Sequence, residues 1–410
     1  MMGNVLVGQS GGPTAVINSS LAGVYKTAKD LGAGRVYGML YGIQGLLEEK
    51  YVDLDEHFHS ELEIELLKRT PSSYLGSCRY KLSDYESDTT DYEKIFTVLK
   101  KLDIEYFFYI GGNDSMDTIK KLSDYGKIIK SNIRFIGVPK TIDNDLAATD
   151  HTPGYGSAAK FIAATTKEII RDGLVYDQKN VTIIEIMGRN VGWLTGASAL
   201  AGGAECPGPD LIYLPEVDFS MEDFIQKVNE LQKMKKALVI AVSEGIRLSD
   251  GRYVCELAED TKYTDQFGHA LLSGSGKYLS SLITRETGCK SRGIELNTLQ
   301  RCASHMASLV DISEAFQVGA AAVNAALEGK TGEMVVLNRI SNQPYQCTTG
   351  TFDIHKIANI EKKVPFEWIS KDSTGVTEEF VDYVKPLIQE ELTPIMIGGL
   401  PKHIRYNGMI

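Results

Sequence analysis

The chain has no CxxC pair. Its six cysteines, at 78, 206, 255, 289, 302 and 347, stand far apart in 410 residues, which argues against a zinc site and a disulfide framework and leaves reduced thiols as the expectation. No apolar run approaches the roughly 20 residues that span a bilayer. The opening MMGNVLVGQSGG has neither a basic leader nor a long apolar stretch, so secretion and membrane insertion are not expected and a cytoplasmic protein is. Positive charge is also in deficit. The formal net charge of -11 excludes the concentrated basic face that nucleic-acid binding requires. An anionic substrate must therefore meet local positive charge, for which Lys140, Arg189, Arg292 and Arg301 are candidates. The close pair His57 and His59 in DEHFHS has no further ligand types nearby and reads as a polar turn. Repeats and low-complexity linkers are absent too, so domain boundaries are soft.

What the chain does have is one theme used repeatedly: a short apolar run, then glycines, then a helical pattern. NVLV leads into GQSGGPT, after which Ile17, Leu21, Val24, Tyr25 and Ala28 recur at helical spacing. The theme returns at 106-YFFYIGGNDSMDTIKKL, at 181-VTIIEIMGRNVGWLTGASAL and at 237-ALVIAVSEG. Such alternation predicts an α/β fold with parallel strands, whose ligands sit at the carboxyl ends of the strands. Residues 320–327 read as a late helix, 249–268 as a loop or insertion, and the closing RYNGMI as neither helix nor strand.

Each loop has a bland reading beside a chemical one. Glycines after a strand let backbone N–H groups approach a phosphate at a helix start, yet GQSGGPT alone is equally a tight turn, and it is neither GK[ST] nor GxGxxG. Asp114 in GGNDS fits a helix cap as well as a polar group near phosphate and magnesium. The stretch 139-PKTIDND follows the apolar NIRFIGV and gathers two carboxylates, an ammonium and an amide. Phosphoryl transfer to an alcohol needs a base near the hydroxyl and a cation near the moving phosphate, and this loop offers both where an Asx-rich turn would need neither. Arg189 in MGRN suits a bidentate phosphate contact, and Glu244 in SEG a sugar hydroxyl. Arg292 and Arg301 flank 292-RGIELNTLQR, and both also fit ordinary surface cations.

Taken in order, GQSGGPT, GGNDS, PKTIDND, MGR, SEG and TLQR resemble the phosphofructokinase family over most of the chain, and within it the pyrophosphate-dependent branch. The resemblance implies the phosphofructokinase fold: two Rossmann-like lobes with mainly parallel sheets and the active site between them. It places residues 1–140 plus about 302–365 in a donor-binding lobe and 141–301 plus about 366–410 in a sugar-phosphate lobe. It also implies Mg2+-dependent, reversible phosphoryl transfer from pyrophosphate to the 1-hydroxyl of fructose 6-phosphate. Carried over by position, Gly11 and Gly12 would contact the donor phosphate, and Arg79 would stand near the transferred group. Asp143 would be the base, with Thr141, Ile142 and Asp145 around it. Met187, Gly188, Arg189, Glu244, Arg292, Thr298, Leu299, Gln300 and Arg301 would bind fructose 6-phosphate.

The expected donor follows from two positions. ATP-using members resemble GGDGS and PGTIDND where this chain has Asp114 and Lys140; the first adds bulk and negative charge in the path of a nucleotide, and the second offers a cation to a short donor. Three departures stand out. Asn113 occupies the position that commonly carries a magnesium-linked Asp, and an amide oxygen is a weaker ligand for a hard cation. Lys179 or Asn180 stands where the family often has an Arg reaching a neighbouring subunit's substrate, and Thr298 replaces the usual His or Tyr. By the same resemblance Arg292 serves a neighbouring subunit, implying a homodimer or homotetramer. Alternatives are an ATP-dependent enzyme, one preferring sedoheptulose 7-phosphate, and a non-catalytic relative that only binds sugar phosphate.

Overall fold

Along NVLVGQ at Asn4–Gln9, Val5 and Val7 join one apolar cluster and Leu6 another. A strand buried on both faces belongs inside a parallel sheet covered by helices on each side. The computed structural model describes residues 2–258 and 273–405. Its two main sheets are built from β1 (Asn4–Gln9), β2 (Val36–Met39), β3 (Tyr51–Asp53), β4 (Ile104–Gly111), β5 (Arg134–Pro139), β6 (Asn180–Ile186), β7 (Leu211–Tyr213), β8 (Ala237–Ser243), β9 (Lys290–Glu295), β10 (Glu333–Asn342) and β11 (Tyr345–Asp353). The α/β class with mainly parallel strands is thus as the sequence leads one to expect.

The chain forms two compact units, 1–157 with 301–361 and 387–410, and 158–300 with 362–386. The first holds the sheet ordered β11-β10-β5-β4-β1-β2-β3, whose outermost pairings, β10 with β11 and β2 with β3, are antiparallel while the inner strands run parallel. Strand order reverses at β1, which lies between β4 and β2; ligands of doubly wound sheets bind at such a switch point. One face is covered by helices Ile17–Asp30 and Leu309–Leu327. These helices cross closely because a Cβ on Gly23 would overlap Phe316 O, and one on Gly319 would overlap Ser20 O. The other face packs Met116, Ile119 and Leu122 of helix Asn113–Ile128 and Ile95, Val98 and Leu99 of helix Thr90–Lys101.

The second unit holds a parallel sheet ordered β7-β8-β6-β9. Val181, Ile183, Leu238, Ile240 and Val242 pack there against Phe224, Val228, Leu279 and Ile283 of its helices. Elsewhere in this unit Trp193, Trp368, Phe380 and Tyr383 form an aromatic cluster, with Trp193 stacked on Phe380 and the other pairs edge-on or tilted.

These boundaries differ from the lobes expected at 140, 301 and 365. Residues 141–157 stay with the first unit because Asp311 accepts hydrogen bonds from Gly154 N and Ser157 N, both at 2.8 Å. Residues 387–410 return to it as well: Ser308 Oγ donates to Gln389 O at 2.9 Å and Ile404 N donates to Thr70 Oγ1 at 2.9 Å. The expected late helix is the end of Leu309–Leu327. Of the expected loop at 249–268, Val254–Leu257 forms a short 3-10 turn and residues from 259 on lie outside the described residues, as do the last five of RYNGMI. Among the described residues no helix is long and apolar enough to cross a membrane.

Candidate active site

Three adjacent strands of the first unit end together. Gln9 pairs with Ile110 and Gly111 with Pro139, so the loops after β1, β4 and β5 emerge side by side. After β1, Gly11 adopts φ +73, open to glycine without strain. Its N–H donates to Cys78 O at 3.1 Å, and a Cβ there would lie 3.3 Å from Lys140 Nζ. A Cβ on Gly12 would lie 3.0 Å from a guanidinium nitrogen of Arg301. After β4, helix Asn113–Ile128 starts from Gly112 with no side-chain cap. Asp114 therefore does not cap the helix; it is exposed in the first turn. The uncapped N–H groups and the helix dipole favour an anion at this end.

After β5, Lys140 turns inward. It is 3% exposed, and its Nζ donates to Gly12 O at 2.7 Å while its own N–H donates to Gly111 O at 3.0 Å. Burial holds this ammonium below its usual range, at about 8, assisted by Arg301 and Arg79 and opposed by Asp143 and Asp145. One lysine and two arginines thus share a neighbourhood with two carboxylates. Arg79 itself is exposed.

The rest of the loop is tied down by its own polar groups. Asp143 N donates to Thr141 Oγ1 at 3.1 Å, and Thr152 Oγ1 donates to Thr141 O at 2.8 Å. Ile142 is buried, and Asp143 is half-buried. Asn144, between the two aspartates, sits in the left-handed region at φ +56 and is fully buried, with Oδ1 accepting from Thr152 N at 3.1 Å. Asn tolerates this conformation better than most residues. The sequence reading missed Asn144 as the anchor of the loop, although the left-handed tolerance of an Asn between two carboxylates was an available signal.

Asp145 Oδ2 accepts from Asn113 Nδ2 at 2.9 Å, whereas Asn113 Oδ1 and Asp145 Oδ1 are both buried without a hydrogen-bond partner. Burial first, and the charge of Asp143 second, push Asp145 up to about 7. Two orphaned oxygens, one of an amide and one of a carboxylate, fit a hard cation such as Mg2+. A cation there would favour the ionised carboxylate.

In the second unit, Ile186 and Ser243 are paired at the ends of β6 and β8. Met187 N donates to Gln300 Oε1 at 3.2 Å, Gly188 N donates to Glu244 Oε1 at 3.3 Å, and Ser243 Oγ donates to Gly188 O at 2.5 Å. Gly188 has φ +139, and a Cβ on Gly245 would overlap Arg189 O. MGR, SEG and Gln300 therefore form one constellation; Arg189 and Glu244 are half-buried, and Thr298 and Leu299, which precede Gln300 in the chain, are exposed.

One arginine falls elsewhere. Arg292 pairs with Thr182, four residues before the end of β6, about 13 Å from the glycine loops at strand spacing; it is exposed on the edge strand β9. Arg301 follows Gln300 in the short helix Leu299–Cys302, and its guanidinium lies beside Gly12.

The family description "Phosphofructokinase" matches residues 4–326. The chain is 41% identical over 403 residues to the pyrophosphate–fructose 6-phosphate 1-phosphotransferase of Halomonas elongata, covering 97% of this chain and 95% of the relative. It is 41% identical over 406 residues to the enzyme of that name from Xanthomonas campestris pv. campestris, covering 98% and 96%. The crystal structure of a pyrophosphate-dependent phosphofructokinase from Nitrosospira multiformis superposes with TM-score 0.90 at 36% identity, covering 100% of this chain and 98% of that one. Matched over most of its length in sequence and throughout in fold, the chain belongs to the phosphofructokinase family.

Proposed function

We propose that this protein transfers a phosphoryl group, reversibly, from pyrophosphate to the 1-hydroxyl of fructose 6-phosphate, giving fructose 1,6-bisphosphate and phosphate. The observation that carries the donor assignment is Lys140. Its ammonium is buried against Gly12 O and next to Gly11, in a loop crowded by Arg79 and Arg301. A short, highly charged donor fits beside the buried ammonium of Lys140 and the half-buried guanidinium of Arg301, whereas the exposed carboxylate of Asp114 at the helix start opposes a longer nucleotide.

In the reaction, Asp143 accepts the proton of the sugar's 1-hydroxyl as the oxygen attacks the nearer phosphorus of pyrophosphate. The bridging P–O bond breaks, and the leaving phosphate takes its electron pair. Lys140, with Arg79 and Arg301, offsets charge on the transferred group and the leaving phosphate; in-line phosphoryl transfer is catalysed mainly by such positioning and electrostatic stabilisation. Asn113 and Asp145 would hold Mg2+, which when bound would supply further neutralisation of phosphate charge. Met187, Gly188, Arg189, Glu244, Thr298, Leu299 and Gln300 take the sugar phosphate. Six free thiols suit a cytoplasmic enzyme. The exposed β9 edge with Arg292 suits a homo-oligomer in which that arginine serves a neighbouring copy.

The test is the initial rate of fructose 1,6-bisphosphate formation with Mg2+ and fructose 6-phosphate, with pyrophosphate or ATP as donor. Turnover with pyrophosphate alone is expected. Turnover with ATP alone would overturn the donor assignment, and turnover with neither would overturn the proposed activity.

A further inference from the structure

Behind the 141–145 loop lies a buried polar cluster that the reaction described above does not use. His151 is 1% exposed, with Nδ1 2.8 Å from Asp150 Oδ1 and Nε2 2.6 Å from Glu314 Oε2. Glu314, on helix Leu309–Leu327, also accepts from Tyr345 OH at 2.5 Å. Asp150 accepts from Arg339 Nε at 2.9 Å, and Arg339 lies over the Tyr345 ring, 5.5 Å from its centroid. Cys347 completes the cluster, its Sγ within 4.8 Å of the ligand atoms of His151 and Glu314. Asp311, one turn before Glu314 on the same helix, holds Gly154 N and Ser157 N.

A neutral imidazole carries one N–H, so with a carboxylate oxygen at each nitrogen the second nitrogen would set its lone pair against an anion. Both contacts become hydrogen bonds only in the imidazolium form. Charge gives the same answer: Asp150 and Glu314 face Arg339 and His151 directly, with Tyr345 and Cys347 neutral, so these four groups balance only when His151 is charged, and the buried carboxyl of Asp311, one turn from Glu314, can only add negative charge to that side. The next residue links the cluster to the site, because Thr152 donates through N to Asn144 Oδ1 and through Oγ1 to Thr141 O.

We propose that His151, doubly protonated between Asp150 and Glu314, is a positioning residue that sets the placement of Asp143 and Asp145 from behind. The proposal rests on Asp143 being the base for the sugar hydroxyl. Burial alone would lower the His151 pKa, but Glu314 and Asp150 raise it to about 8. Glu314 is pushed up by burial and brought below its ordinary value by His151. Turnover should therefore fall as pH rises through about 8, where the clamp loses its proton.

His151 and Glu314 could instead hold a metal with Cys347. The hydrogen-bonded clamp is favoured because His151 Nε2 and both Glu314 oxygens already have partners.

The experiment measures kcat and KM for both substrates from pH 6 to 10 in the wild type, His151→Gln and Glu314→Gln, with histidine ring titration by NMR on the same samples. His151→Gln is expected to lower kcat at pH 7 by about 10-fold or more at nearly unchanged KM, and to remove the His151 share of the alkaline limb of kcat. Glu314→Gln should move that limb, and the His151 resonance, to lower pH, an outcome that a merely structural role would not produce. Lys140 also titrates near 8 and acts on the transferred group, so its share of the alkaline fall stays in place in every variant; the share that belongs to His151 is the one that His151→Gln removes and that Glu314→Gln moves together with the His151 resonance. A kcat limb unmoved in both variants would overturn the proposal. So would a His151 that titrates near its ordinary value, or stoichiometric zinc retained by the wild type and lost in Cys347→Ser. If the wild type shows no turnover, the proposed activity fails, while the NMR titration still decides whether His151 is held as an imidazolium.

Discussion

The loops at the strand ends of the two units are built on different principles. In the first unit the loops rest on buried charged and polar groups: Lys140, Asn144, His151, Asp311 and Glu314 are buried, and each is held by named hydrogen bonds. In the second unit the backbone is what is tightly fixed, with Gly188 at φ +139 and Gly245 pressed against Arg189 O, while Arg189 and Glu244 stay half-buried. Desolvated, fixed charges act on charge that develops during a reaction; a shaped backbone with half-exposed polar groups suits recognition of a ligand already charged. Substitutions in the first unit should therefore register mainly in kcat, and those in the second mainly in KM for the sugar phosphate.

The sharpest division should come from Asp143→Asn. Removing a general base while keeping its shape is expected to cut kcat by roughly 100-fold or more with both KM values little changed. Steady-state rates at saturating substrates check this. An unchanged kcat would remove Asp143 from the base role and blur the contrast between the units.

The donor side is expected to respond next. The double variant Asp114→Gly with Lys140→Gly removes the carboxylate at the helix start and the ammonium beside Gly12. The pyrophosphate kcat/KM should fall by about 10- to 100-fold, the range of a lost charge-assisted contact. The fructose 6-phosphate KM should hold. Donor kinetics equal to the wild type would show that selection lies elsewhere. In the wild type, kcat/KM for pyrophosphate should fall above pH 8 as Lys140 loses its proton.

This contrast was only half legible in the sequence. Lys140, Asp143 and Asp145 could be read from PKTIDND because a polar cluster straight after an apolar strand is a local signal. The supports of that cluster are not local: Glu314 lies 163 residues from His151, and Asp311 lies 157 residues from Gly154. No periodicity or spacing encodes such pairs, which form only when the helix covering the sheet folds back over the loop. Arg301 shows the same limit, since its guanidinium reaches Gly12, 289 positions earlier in the chain. The compact units depart from the expected lobes for a related reason: residues 387–410 are tied to the first unit by contacts such as Ile404 N to Thr70 Oγ1, across 334 positions.

The smallest effect, and the cleanest check of the second unit, is expected from Gly188→Ala. At φ +139 an L-residue is strained, and its Cβ would lie 2.5 Å from Val191 O. Strain of this kind costs on the order of 1–3 kcal/mol, so the loop should shift or the unit should lose stability by about that much. Gly188 N would then move from Glu244 Oε1 and Ser243 Oγ from Gly188 O, loosening a constellation held by hydrogen bonds of 3.3 and 2.5 Å. We expect the fructose 6-phosphate KM to rise several-fold, about 1 kcal/mol of binding, with kcat at saturation within about a factor of two or three and the pyrophosphate KM unchanged. Thermal unfolding on the same sample separates a displaced loop from a destabilised unit. A fall in kcat at constant KM would mean that the second unit takes part in the chemical step, and the division between buried charge and shaped backbone would no longer describe the two units.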